Sequence, residues 1–159
     1  MSGPVYRFTS RWTVPAPPGQ VFDRLADLVG YPAWWPQVRA AARVDDDTVL
    51  LVCRSLLPYS LELELTRQRE DRADGVLEAR LAGHLAGWSR WTLADLRGSG
   101  SGPATALLYE QEVTTRGRVL SAGTRVARPV LVGNHAWMMR GGRRGLLRTV
   151  AGRDGRTPR

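Results

Sequence analysis

The spacing of apolar residues changes once along this chain, and that change restricts its fold more than any other feature. Before about Arg118, most of the sequence alternates apolar with polar residues, as strands with one buried face do. After that point the apolar residues recur at helical spacing. Strands joined by short turns pair antiparallel, and one long helix can cover the apolar face of their sheet. The sequence therefore predicts an α+β fold, with a seven-stranded antiparallel sheet wrapped around a long carboxyl-terminal helix.

Seven segments carry the strand pattern, and turn residues separate most of them. The clearest is the segment 61–66, in which three leucines alternate with polar residues. Asp74-Gly75 is a strong hairpin signal, and a second turn is expected around Ala86-Gly87. The predicted strands are residues 6–14, 38–44, 48–57, 61–66, 76–85, 88–96 and 104–115.

Two short helical pieces are predicted between the first and second strands. Pro18 suits the first turn of a helix, and the apolar residues after it recur at helical spacing as far as Leu28. Gly30 ends this helix. Residues 31–36 combine two prolines with three aromatic rings, which predicts a short helical turn packed onto the domain.

The last helix is expected to run from about Arg118 to about Val150 and to kink or divide at Pro129. Three glycines between Gly141 and Gly145 weaken a helix, so they indicate a close approach to the sheet or to another subunit. The positions expected to face inward are Val126, Val130, Asn134 and Met138.

Length and composition favour a single domain in a reducing compartment. The chain has 159 residues, and we expect residues 1–150 to form the domain and 151–159 to be a disordered basic tail. Cys53 is the only cysteine, which excludes an intrachain disulfide. His84 and His135 lie far apart in sequence, so no metal site is predicted, and no cofactor is expected. No segment resembles a signal peptide or a membrane span, which favours a cytoplasmic location.

Positive charge is concentrated in the last quarter of the chain. All 23 basic residues are arginine, and residues 116–159 contain eleven of them with one acid, Asp154. The simplest interpretation is a solvated helix face followed by a loose tail. The alternative is an acidic partner. An acidic carrier protein fits this alternative better than nucleic acid, because the basic segment lacks interleaved aromatic residues beyond Trp137.

Three stretches, in this order, carry a family resemblance. The first is VPAPPGQVF (residues 14–22) leading into YPAWWPQV (31–38). The second is GHLAGWSRWTL (83–93), and the third is RPVLVGNHAWMMRGGRRGL (128–146). Together they resemble the START-like (SRPBCC) superfamily, in its polyketide cyclase/dehydrase branch, over about residues 5–150.

The resemblance implies a helix-grip (START/Bet v 1-like) fold that encloses a cavity for lipids, polyketides, plant hormones or similar molecules. It does not imply one activity, because members include aromatase/cyclases and carriers. This chain also departs from the family motifs. His84 and Ala136 stand where acids are usual, Ser89 replaces a glycine, and Gln111 stands where the last strand often has a large apolar residue.

Side chains that share the inward parity of their strand or helix are the expected ligand contacts. Trp35 and Trp137 are further candidates for stacking on a flat ligand. The predicted cavity residues are Leu61, Leu63, Trp91, Leu93, Tyr109, Gln111, Val130 and Asn134.

No catalytic set is shared across the superfamily, so the catalytic residues are unknown at this stage. Tyr109, Asn134 and His135 are weak candidates. His135 is either a general acid–base group or a core histidine bonded to a backbone carbonyl. The possible functions are a cyclase or aromatase, a carrier of a small apolar molecule, and a module that docks an acidic macromolecule through the arginine-rich helix.

Overall fold

The computed structural model describes residues 4–56, 58–97, 100, 102–116 and 124–151, without the side chains of residues 124–127. Its elements follow the predicted order of strand, two helical pieces, six strands and long helix. They are β1 (Val5–Val14), α1 (Pro18–Ala26), a 3-10 helix (Leu28–Ala33), β2 (Val38–Arg43), β3 (Thr48–Cys53), β4 (Leu61–Asp71), β5 (Val76–Gly83), β6 (Leu85–Asp95), β7 (Thr105–Thr115) and α2 (Thr124–Ala151).

The seven strands form one sheet in the order β1-β7-β6-β5-β4-β3-β2, and all neighbours are antiparallel. The seven-stranded antiparallel sheet predicted from the sequence is therefore confirmed. Strands β2 to β6 each pair with the next strand along the chain. β1 is the exception, because it pairs with β7, so the first strand lies beside the last.

Alternation along the strands separates the core face from the solvent face. In β4, Leu61, Leu63 and Leu65 are buried, whereas Glu62 is exposed. Successive side chains of a strand point to opposite faces, so this alternation places every second residue of the neighbouring strands beneath α2 as well.

Some predicted boundaries are wrong, for local reasons. β3 ends at Cys53 instead of residue 57, and β4 continues to Asp71. The turn between β5 and β6 lies at Gly83, which adopts a positive φ of 101°, and Gly87 is inside β6. Gly87 is required there by proximity, because a Cβ would collide with the carbonyl oxygen of Glu112.

The aromatic segment before β2 packs onto the domain, as predicted. Tyr31, Trp34 and Trp35 are buried and their rings contact one another. The Tyr31 hydroxyl donates to the carbonyl oxygen of Leu25 at 2.7 Å, which ties this segment to the end of α1. Trp35 also contacts Trp12 of β1, with ring centroids 6.3 Å apart.

Helix α2 lies directly against this aromatic segment, and its glycines permit the approach. A Cβ at Gly142 would lie 2.5 Å from the Trp35 ring, and one at Gly145 would collide with the carbonyl oxygen of Trp34. Two hydrogen bonds fix the contact. Trp35 Nε1 donates to the carbonyl oxygen of Met138 at 2.9 Å, and Gln37 Nε2 donates to that of Trp137 at 3.3 Å.

The helix continues through Pro129 as one element, so of the two predicted outcomes it does not divide there, and the kink stays a prediction. It differs from its prediction in rotation, because Leu131, Asn134 and Met139 are buried while Val130 is half-buried. The predicted start near Arg118, the side chain of Val126 and the predicted tail after Ala151 lie outside the described residues.

The glycine contacts predict a reversal of the usual effect of alanine in a helix. Gly145→Ala should lower the free energy of unfolding by about 1–3 kcal/mol, because its methyl group has no room beside Trp34. Gly133→Ala is the matched control in the same helix, since a Cβ there meets nothing within 4 Å. It should raise stability by about 0.5–1 kcal/mol. Urea unfolding followed by circular dichroism measures both, and equal effects would contradict the close approach.

Candidate functional site

A cavity of about 130 Å³ lies between the sheet and α2, and residues from all seven strands line it. A cavity of about 150 Å³ lined by apolar side chains is large enough to bind benzene. The space is therefore close to the size that holds one aromatic ring.

Aromatic rings form a continuous wall on one side of the cavity. The rings of Phe8 and His135 stack with centroids 4.1 Å apart and an angle of 11° between their planes. Tyr109 lies next to His135 at 5.9 Å, and Trp91 lies next to Tyr109 at 4.6 Å. Such a wall favours flat ligands, because aromatic side chains supply large contact areas in fixed orientations.

Six of the eight predicted cavity residues line this space, and two do not. The six are Leu61, Leu63, Trp91, Tyr109, Gln111 and Asn134. Leu93 points to the core face of the sheet as expected, but it is buried in the apolar core and does not line the cavity. Its strand, β6, contacts α1. Val130 is excluded by the rotation of α2, which presents Leu131 and Asn134 to the cavity instead. Trp35 also lines the cavity, whereas Trp137 does not.

Further residues of β1 and α2 line the cavity, although they are not among the eight predicted cavity residues. Tyr6 and Phe8 line the cavity from β1, and they share a face with Trp12 in the printed sequence. Leu131, Met138 and Met139 line it from α2. Two of these three helix positions were missed because the helix was assigned the wrong rotation.

Tyr109 and Gln111 form a polar pair on β7. The Tyr109 hydroxyl donates to Gln111 Oε1 at 2.9 Å, and Gln111 is only 7% exposed. Burial raises the pKa of the Tyr109 phenol, so the hydroxyl stays protonated at neutral pH. Gln111 lines the cavity, and its Nε2 is an amide donor that suits an oxygen on a bound molecule.

His135 contributes a second polar group to the cavity. Its Nε2 is buried, and no described residue hydrogen-bonds to it. Burial lowers the pKa of His135 to about 4, so the imidazole is neutral at pH 7. The ring is therefore a neutral group in an apolar wall, with Nε2 free to hydrogen-bond to a bound molecule.

Asn134 uses its side-chain oxygen for structure. Asn134 Oδ1 accepts a hydrogen bond from the backbone nitrogen of Leu56 at 2.8 Å. This bond joins α2 to the connection between β3 and β4, across the cavity boundary. His84, the other histidine, does not line the cavity, and its Nδ1 accepts from the backbone nitrogen of Glu62 at 2.8 Å.

Residues 14–131 match the sequence profile of a family described as polyketide cyclase / dehydrase and lipid transport. The chain belongs to this family. Its fold is the START/Bet v 1-like helix-grip fold, and hydrophobic ligand binding is the property that family and fold share. A search of curated proteins found no match.

Solved structures agree with this assignment at the level of the fold. An aromatase/cyclase, Zhui, from Streptomyces sp. R1128 has a TM-score of 0.78 and 20% sequence identity, over 96% of this chain and 97% of that one. A START superfamily protein from Mycobacterium smegmatis has a TM-score of 0.66 and 16% identity, over 91% and 98%. A protein of Thermus thermophilus has a TM-score of 0.64 and 14% identity, over 91% and 99%.

The lining of this cavity is nearly uncharged, which suits a member of the polyketide cyclase/dehydrase family. Glu78 is the one ionised side chain among the lining residues, and it pairs with Arg90. Burial raises the pKa of Cys53 to about 12, so its thiol is also neutral. Moving an ionised ligand into such a space is costly, because no described lining residue carries a compensating positive charge. None of the described helices is long and apolar enough to cross a bilayer.

The burial of His135 predicts a pH dependence of stability. Its pKa is about 4 in the folded protein and about 6.5 in the unfolded chain, so the unfolded state binds more protons between these values. The contribution of His135 to the free energy of unfolding is complete above pH 6.5, where the ring is neutral in both states, and it is lost as the pH falls through 4. It amounts to about 3 kcal/mol at most.

Urea unfolding between pH 4 and pH 7 checks this dependence. As the pH is lowered from 7 to 4, the free energy of unfolding of the parent should fall relative to that of His135→Phe. His84→Phe is the control for replacing a histidine outside the cavity. An NMR titration of His135 with a midpoint near pH 6.5 would contradict the prediction.

Proposed function

We propose that this protein binds a neutral, flat, ring-containing small molecule in the cavity between its sheet and α2. The observation that carries the proposal is an aromatic-walled, nearly uncharged space that contains a buried polar atom without a partner among the described residues, His135 Nε2, beside the amide donor of Gln111. An apolar lining with a few polar groups is the usual composition of a small-molecule site.

The polar atoms define what the ligand must offer. Gln111 Nε2 donates a hydrogen bond, so it favours a carbonyl or hydroxyl oxygen on the ligand. Neutral His135 accepts or donates at Nε2 according to its tautomer. A phenol or a ketone in its enol form presents such groups beside a flat ring or chain. A carboxylate is disfavoured, because its charge would be desolvated without a cationic partner.

The cavity volume restricts how the ligand enters. The present space is close to the size of one ring, and a molecule with several rings requires side chains to move. Met138 and Met139 line the cavity from α2, and unbranched methionine side chains adapt to different shapes at low cost. We infer that a larger ligand is accommodated on the α2 side, where these residues lie.

A direct binding experiment tests the proposal with three probes of one ring each. Phenol, toluene and benzoate are titrated into the purified protein by NMR at neutral pH. Phenol should bind at least tenfold more tightly than benzoate, because only benzoate carries a charge into the cavity. Benzoate binding as tight as phenol would overturn the proposed neutral selectivity.

Variants then identify the contacts that hold the probe. His135→Phe and Gln111→Leu should each weaken phenol binding by up to roughly tenfold, the effect of one lost hydrogen bond. Toluene binding should stay within about twofold, since it has no polar group. His84→Phe is the matched control for the histidine variant and should bind phenol like the parent. Equal losses for toluene and phenol would indicate a packing defect and not a lost hydrogen bond.

A second candidate function is catalysis of cyclisation with loss of water, for which the family description and the polar cluster give support. Ring closure of a diketone needs a base that removes a proton beside one carbonyl and a donor that stabilises the oxygen of the other. Tyr109 stays protonated, and it suits the donor role once its hydroxyl turns from Gln111 Oε1 to the substrate oxygen. His135 is unprotonated at pH 7, although a pKa near 4 makes it a weak base, and this is why binding is the leading proposal.

Heptane-2,6-dione provides a probe of matching size for this second function. Its terminal carbon attacks the distant carbonyl carbon, a carbon–carbon bond forms, and loss of one water gives 3-methylcyclohex-2-enone. The absorbance of the enone reports the rate. Acceleration by the parent that is lost in His135→Phe and retained in His84→Phe would support catalysis. A rate equal to the buffer rate, together with tight phenol binding, would leave the protein as a carrier of its ligand.

A further inference from the structure

The outer face of α2 carries a stripe of four arginines. Arg140, Arg143, Arg144 and Arg148 are all exposed. At 100° per residue they fall within an arc of about 140°, on the side of the helix opposite the buried residues. Arg140, Arg144 and Arg148 follow one another at intervals of four residues, so they form a line about 12 Å long.

These arginines have no acidic partner among the described residues. Six arginines outside α2 form ion pairs with Asp or Glu on the described surface. In α2, no described arginine has such a pair, and the helix sequence contains no acid. Like charges three or four residues apart destabilise a helix, and the stripe contains three such pairs. The interaction with the helix dipole offsets this only in the last turn.

A surface groove adjoins the stripe. It lies between the aromatic segment before β2 and the last turns of α2, with a volume of about 320 Å³. Pro32, Trp34 and Pro36 line one side, and Gly145 and Arg148 line the other. Arg148 therefore belongs both to the stripe and to the groove, so that one partner can contact both.

We propose that the stripe and the groove together form a docking surface for an acidic protein segment that carries one apolar side chain beside its carboxylates. Arginine matches carboxylates well, because its guanidinium donates two parallel hydrogen bonds. The groove favours a protein over a nucleic acid, since a phosphate backbone has no apolar group to place in a recess lined by prolines. This surface lies on the outside of α2, so docking is independent of the cavity and of its ligand.

Fluorescence anisotropy tests the proposal with three fluorescein-labelled helical peptides. The first has glutamates at every fourth position beside one leucine, the second replaces its glutamates with glutamine, and the third replaces its leucine with serine. The full-length parent should bind the first peptide at low salt, with at least tenfold weaker binding of the second and at least threefold weaker binding of the third. Equal binding of the first and third peptides would overturn the role of the groove.

Variants separate the stripe from the general positive charge of the protein. Arg140→Glu with Arg144→Glu should weaken binding of the first peptide at least tenfold. Arg11→Glu with Arg80→Glu changes the net charge equally at exposed positions outside α2, and it should weaken binding less than threefold. Both variants should bind phenol like the parent, which shows that the fold and the cavity are intact. Equal losses in the two variants would overturn the proposal.

Two further outcomes would assign the surface to another occupant and overturn the proposal. A DNA duplex that binds more tightly than the first peptide, through the same arginines, would indicate nucleic acid. Self-association of the parent in sedimentation velocity, lost in Asp46→Asn with Asp47→Asn, would indicate that the acidic turn of a second copy occupies the groove.

Discussion

The contact between α2 and the aromatic segment before β2 determines where the helix lies over the sheet. Glycines at the contact remove the side chains that would hold the two apart, and the hydrogen bond from Trp35 to the Met138 carbonyl fixes the helix along its axis. One end of α2 is thereby held tightly. The other end carries Leu131, Asn134 and His135 over the sheet at a distance that leaves a cavity. Both the packed core and the empty space follow from this single contact.

The sheet was predictable because strand alternation has a period of two and leaves only two possible faces. Once Leu61 and Leu63 are assigned inward, a whole strand is assigned, and its partners follow. The rotation of α2 was not predictable in the same way. Val130, Leu131 and Val132 are consecutive apolar residues that point in three directions, so the apolar pattern alone does not choose among them. The contacts of the α2 glycines determine the rotation of the helix, and they involve residues more than a hundred positions away in sequence.

The same difference explains how much of the candidate site could be predicted. Strand residues such as Trp91 and Gln111 were found from parity, whereas Val130 was wrong because its prediction depended on helix rotation. The polar atoms without partners could not be found from sequence, since satisfaction of a buried group depends on neighbours from other strands. A buried, unsatisfied donor or acceptor costs about 1–3 kcal/mol. His135 therefore reduces the stability of a protein that tolerates it inside its core, which is the usual condition of a binding site.

The pairing of β1 with β7 has a consequence for how the chain reaches this structure. Val5 pairs with Thr114, so this edge of the sheet forms only after more than a hundred residues have been synthesised. Until then the apolar face of β1, with Tyr6 and Trp12, has no strand beside it. The meander from β2 to β7 has short connections and can assemble earlier, because local pairings lose less chain entropy on closure. On the ribosome, β1 emerges before the other six strands of the sheet and is accordingly among the last to be incorporated.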